Sequence, residues 1–173
     1  MQEIYSTNTG DNTCHVRILQ RLKDIFHQNS FAQINEPNSK LRTYKHLKLQ
    51  IGFEEYVNLI PNEKDRISMT KFRLSNHQLM IEKGRYSNID REQRFCPFCP
   101  DSIEDEKHFL TECKAYKNER RIFYTDIEKD YRSFILKNKW EKMIFLLSNK
   151  NMIKKVSRFI YEYTQLRADM LAV

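Results

Sequence analysis

The stretch "RFCPFCPDSIEDEKHFLTEC", Arg94 to Cys113, gathers three of the chain's four cysteines and one of its five histidines. Cys96 and Cys99 form a C-x-x-C turn, His108 follows after eight residues and Cys113 after four more. Zinc takes four soft or borderline ligands at the corners of a tetrahedron, and C-x-x-C presents two thiolates from one tight turn. Downstream, Asp101 or Ser102 is expected to cap a short helix, with Glu104 or Asp105 completing a capping box. His108 would then project from that helix and Cys113 from its end. The expected product is a closed Cys3His zinc site, Cys96, Cys99, His108 and Cys113, holding one structural Zn²⁺. Four protein ligands leave no open position for a catalytic water. Three thiolates and the ion sum to −1, which Arg91, Arg94, Lys107 and Lys114 flank and offset.

Rival readings of the cluster fit less well. A redox C-x-x-C with an unrelated histidine needs a thioredoxin-like strand-to-helix setting that the flanks lack. A zinc deaminase needs H-x-E ahead of P-C-x-x-C, and neither part is present. The acids Asp101, Glu104, Asp105 and Glu106 stand at a helix start, where the dipole favours them, and read as capping rather than as a nuclease metal site. Cys14, on an apolar helix face, is expected to be a buried thiol.

The remainder of the 173 residues sets this cluster in helices. Three glycines and four prolines are too few for the turns of a sheet protein, while 40% hydrophobic residues suffice for a core. Apolar periodicity predicts helices along Val16–Phe26, Leu41–Ile51, Phe53–Ile60 and Glu63–His77. It predicts three more around Tyr116–Phe134, Trp140–Leu147 and Ile153–Leu166, with a short strand at Leu79–Ile81. The expected fold is mainly α: an irregular helical domain with one zinc-stabilised CCHC knuckle in the middle. Its segments are 1–90, 91–114 and 115–173, within one compact unit.

Thirty Lys+Arg against twenty-three Asp+Glu give a net charge of +7 and favour a polyanionic partner, nucleic acid before membrane. No apolar run is long enough to span a bilayer, so no membrane partner is expected. The N-terminal segment lacks a secretory pattern, so an intracellular, non-secreted protein with reduced thiols is expected.

Several blocks carry a family resemblance: "RTYK", "GFEEYVNLIP", R-x-x-x-T-K-F-R-x-x-N-H, IE-x-GR, the knuckle with "HFL", and the late "VSRFIYEY". Together they resemble the region that follows the reverse transcriptase domain in LINE-like, non-LTR retrotransposon polyproteins of invertebrates. Met80 and Glu104 depart from that pattern, where proline and glycine are usual. The resemblance implies zinc ligation by Cys96, Cys99, His108 and Cys113, contact with RNA or DNA, a reverse transcriptase domain as a further candidate partner, and a nuclear location. It also implies that the polymerase and endonuclease catalytic residues lie outside this chain, so no enzyme activity and no small-molecule substrate are expected.

The expected function is thus a non-catalytic, zinc-dependent nucleic-acid-binding module. Phosphates would meet Arg66, Lys71, Arg73, His77, Lys83, Arg85, Arg91 and Arg94, and Tyr86 and Phe98 would stack on bases. The alternative is a zinc-stabilised protein-interaction module docking on a polymerase domain, with the apolar helix faces from Trp140 onward as its surface.

Overall fold

The computed structural model describes residues 9–36, 39–48 and 52–172. The chain divides into two units, Met1–Ser39 and Lys40–Val173. The first contains α1, Thr9–Asn35. The apolar residues predicted for its face, among them Val16, Leu22 and Phe26, are exposed, and so is Cys14. The expectation of a buried Cys14 is therefore corrected: an apolar stripe buries a thiol only where another element covers it.

The second unit is helical, with a two-stranded sheet at its centre. It runs through α2 (Tyr44–Leu47), α3 (Tyr56–Leu59), α4 (Glu63–Arg73) and α5 (Met80–Tyr86) to β1 (Phe95–Cys96) and β2 (Cys99–Ile103). Then follow α6 (Glu106–Thr111), α7 (Lys117–Asp130), α8 (Lys139–Ser148) and α9 (Ile153–Ala172). Of the segments expected at 1–90, 91–114 and 115–173, the first contributes its part from Lys40 onward and the other two contribute throughout to one core. In it the rings of Phe72, Phe109, Tyr116 and Tyr163 follow one another at 5.5, 5.2 and 5.6 Å. No described helix is long and apolar enough to cross a membrane.

Local chemistry sets most boundaries. Asn62 caps α4 by accepting from Asp65 N, and Asn138 and Glu141 form a full capping box on α8. Helix α4 stops at Arg73, short of the predicted His77. Ser75 adopts φ 51°, Asn76 N donates to Lys71 O and Ser75 N to Phe72 O, which is a Schellman termination. Glycine normally announces that turn, and a serine there does not. Helix α5 ends the same way, with Asn88 at φ 52° and Ile89 N donating to Gly84 O.

Other differences follow from tertiary contacts. The strand expected at Leu79–Ile81 is the entry to α5, because Met80 N and Ile81 N are taken up by Glu104. The helix expected from Leu41 onward is broken into a 3-10 turn, Lys40–Arg42, and the single turn of α2. Its predicted end at 49–51 lies outside the described residues. Helix α9 lies along α4, and α8 packs against α6.

Candidate metal centre

The centre is assembled from a hairpin and a helix end. Strands β1 and β2 are antiparallel with Cys96 opposite Cys99, so the two thiols leave one tight turn. Asp105 caps α6 by accepting from His108 N at 2.7 Å, which fixes the imidazole on the first turn. Cys113 N donates to His108 O at 2.8 Å and brings the third thiol back beside the first two.

All four side chains are buried, and one ligand atom from each lies within 4.8 Å of all the others. The Sγ atoms of Cys96 and Cys113 are 3.8 Å apart. That is far beyond a disulfide bond, and it matches the roughly 3.8 Å edge of a tetrahedron with metal–sulfur bonds of about 2.3 Å. Both ring nitrogens of His108 are buried without a hydrogen-bond partner. A coordinated ion would engage one of these two nitrogens, beside the three thiols. Without an ion, the hydrogen bond shared with Cys113, and then burial, push the Cys96 thiol up to about 12, while the same contact draws Cys113 down. A cation removes that competition by stabilising both thiolates. The Cys3His group is thus arranged to hold one metal ion.

Two buried carboxylates bind this centre to the scaffold. Glu104 accepts from Arg167 Nε and Nη2 at 2.7 and 2.6 Å and from Met80 N at 2.7 Å. One residue thereby links the knuckle, α5 and α9. Glu106 accepts from Arg42 Nη2, Ser75 Oγ and His77 Nε2 at 2.7, 2.6 and 2.9 Å, and Arg42 also pairs with Glu82. Burial alone would raise the Glu106 carboxyl, yet His77, Arg42 and Ser75 outweigh it and hold it at about 2.

The capping expectation for the four acids is therefore corrected. Only Asp105 caps, Asp101 and Ser102 belong to β2, and Glu104 and Glu106 are buried ion-pair partners. The charge balance beside the thiols differs too: Arg167, seventy residues downstream of Pro97, reaches the centre through Glu104. Lys107 instead pairs with Glu112, and Arg94 donates to the carbonyls of Ile81 and Ile89.

The predicted nucleic-acid contacts divide into two sets. Arg73 is buried, donating to Leu147 O and Glu54, with its guanidinium 4.6 Å from the Tyr56 ring centroid. His77 is held by Glu106, and Arg94 is engaged as above. Phe98 packs on the core beside Tyr116, and Arg66 donates to the Ile60 and Pro61 carbonyls. The Arg73 and His77 side chains are thus buried, and Arg66, Arg94 and Phe98 are half-buried, each engaged with groups inside the protein. Lys71, Lys83, Arg85, Tyr86 and Arg91 remain exposed.

Sequence reasoning missed Arg42 and Arg167, and it gave Glu104 and Glu106 a capping role. Arg167 did leave a signal: 153, 156, 160 and 163 form the apolar stripe of α9, and 167 is its next position. A charge on that stripe marks a buried ion pair. Compared with known proteins, the chain matches no family model, no curated protein and no solved structure.

Proposed function

We propose that the chain is a zinc-organised module that binds single-stranded nucleic acid through the surface beside its metal centre. Zinc is the ion this donor set favours: three thiolates and an imidazole in a closed tetrahedral arrangement form a structural zinc site. The ion would hold the hairpin against α6 and supply no chemistry to a substrate.

One observation carries the binding reading. Helix α5 packs on β1, and the turn Arg91–Gln93 packs on β2. Lys83, Arg85 and Tyr86 on α5 and Arg91 on the turn thus stand, all four exposed, on the two elements that border the knuckle. Tyr86 is 77% exposed, a large aromatic ring left in water among cations. Lys83 and Arg91 have no ion-pair partner among the described residues, and Arg85 has only a 3.8 Å contact to Glu82. Exposed rings between cations suit a single strand, where bases stack and phosphates are neutralised. The resemblance to retrotransposon polyproteins points the same way. Of the rival protein-interaction surface, Met143, Leu146, Leu147, Val156 and Ile160 are core residues, while Trp140, Leu166, Met170 and Leu171 stay exposed without forming a basic, aromatic cluster.

The test is a salt titration of fluorescence anisotropy with labelled single-stranded RNA and DNA. Each neutralised phosphate contributes about −0.7 to the slope of log affinity against log salt, so Lys83→Ala and Arg91→Ala each flatten it by about that amount. Tyr86→Ala lowers affinity by about 1–3 kcal/mol with the slope unchanged. Absence of binding at low salt, or a slope indifferent to both lysine and arginine substitutions, overturns the reading.

A further inference from the structure

A second basic site, sharing no residue with the metal centre, lies between α7 and α8. The groove has a volume of about 560 Å³, and its lining includes Lys117, Arg120, Arg121, Tyr124 and Glu128 of α7 and Lys142 of α8. Arg120 sets it apart. The residue is 8% exposed, and its Nη1 is buried without a hydrogen-bond partner. No carboxylate lies within ion-pairing distance of it among the described residues. The other two buried arginines, Arg73 and Arg167, each hold a carboxylate. A buried charge without a partner is strongly unfavourable, so a ligand that supplies the counter-charge explains its retention.

The surroundings specify the sign and size of that ligand. Lys117, Arg121 and Lys142 have no ion-pair partner among the described residues, so four cations face a single carboxylate, Glu128. The Lys142 ammonium sits 5.7 Å over the Tyr124 ring. Tyr124 supplies no counter-charge: its hydroxyl donates to Leu110 O at 3.0 Å, and burial pushes its ionisation up. Lys117, Arg120 and Arg121 also stand on the first turns of α7, whose N-cap Tyr116 gives no side-chain bond. Cations oppose the helix dipole there, whereas an anion is stabilised by it.

We infer that this groove binds a phosphoryl group. Arg120 supplies a guanidinium fork, which matches phosphate oxygens two at a time, and Lys117, Arg121 and Lys142 supply the outer charge. The site goes beyond the reading above and does not depend on it. The phosphoryl group belongs either to a free phosphate ligand or to a nucleic-acid strand.

Thermal melts in inorganic phosphate and in chloride at equal ionic strength test the site. With phosphate a hundredfold above its Kd, the wild-type Tm rises by roughly 5–10 °C. Arg120→Met keeps the stem and removes the charge, so in chloride it melts no lower than wild type, and it loses the phosphate response. The exposed double variant Lys117→Ala/Arg121→Ala folds normally and needs several times more phosphate for half the effect. A wild type indifferent to phosphate overturns the site, as does a retained response in Arg120→Met or an unchanged midpoint in the double variant. Anisotropy with a labelled single strand identifies the source. A tenfold loss in Arg120→Met assigns the site to strand phosphates, and unchanged affinity with the phosphate response lost assigns it to a free ligand. A wild type that responds to phosphate yet binds no strand leaves this site standing and removes the nucleic-acid reading.

Discussion

Arg167→Met probes the single side chain through which α9 grips the knuckle. Arg167 presents two donors to the two oxygens of Glu104 at 2.7 and 2.6 Å, and the side chains are only 6% and 2% exposed. With the guanidinium gone, Glu104 keeps one backbone donor, Met80 N, and lies 3.9 Å from the Cys96 sulfur, which donates nothing once a metal holds it as thiolate. A carboxylate stranded in this way costs about 3–5 kcal/mol. For a chain of this size the corresponding fall in Tm is roughly 6–20 °C. Adding Glu104→Gln removes the stranded charge and recovers at least about 1 kcal/mol, a coupling that a double-mutant cycle reads directly. Urea melts of metal-loaded protein, followed by far-ultraviolet circular dichroism, give the four stabilities. A loss below about 1 kcal/mol for Arg167→Met, the scale of an exposed pair, refutes the clamp. So does a double variant no more stable than Arg167→Met alone.

Elemental analysis of protein purified under reducing conditions is expected to find one zinc per chain, and Cys99→Ser, which removes a ligand, to abolish it. Chelation should lower Tm, because the binding energy of a structural metal is folding energy; an ion-free native protein of unchanged Tm would contradict this. Burial would raise the Glu54 carboxyl, but Lys48, Tyr44 and Arg73 hold it below its ordinary value of 4.5. A depressed carboxylate stabilises the fold above that pH and loses its contribution as pH falls below it, so Glu54→Gln should flatten the acid loss of stability. Parallel acid curves for variant and wild type would show that Glu54 contributes nothing. At Gly84 an added Cβ would meet Arg94 Cγ at 2.7 Å, near the stem of a side chain anchored to two carbonyls. Gly84→Ala is expected to destabilise by about 1–3 kcal/mol despite its better helix propensity, and a gain in Tm would show that Arg94 moves freely.

The metal centre was legible in the chain because its chemistry is local. Cys96, Cys99, His108 and Cys113 lie within eighteen residues, and C-x-x-C plus one helix is enough to close a tetrahedron. The long helices α7, α8 and α9 were legible as well, since burying one face imposes a helical period on the apolar residues. Cations were harder to read. Arg73 and Arg91 look alike in the sequence, yet one is buried against Leu147 and Glu54 while the other is exposed. Ser75 hid a helix end that a glycine would have declared, and that end turns His77 inward to Glu106. The partners of the buried charges are 74, 64 and 63 residues apart for Arg73–Leu147, Arg42–Glu106 and Arg167–Glu104. Local sequence pattern fixes period, turns and metal spacing, because those depend on neighbours along the chain. Whether an arginine meets water, a carboxylate or nothing at all depends on which distant helix covers it, and only the tertiary structure decides that.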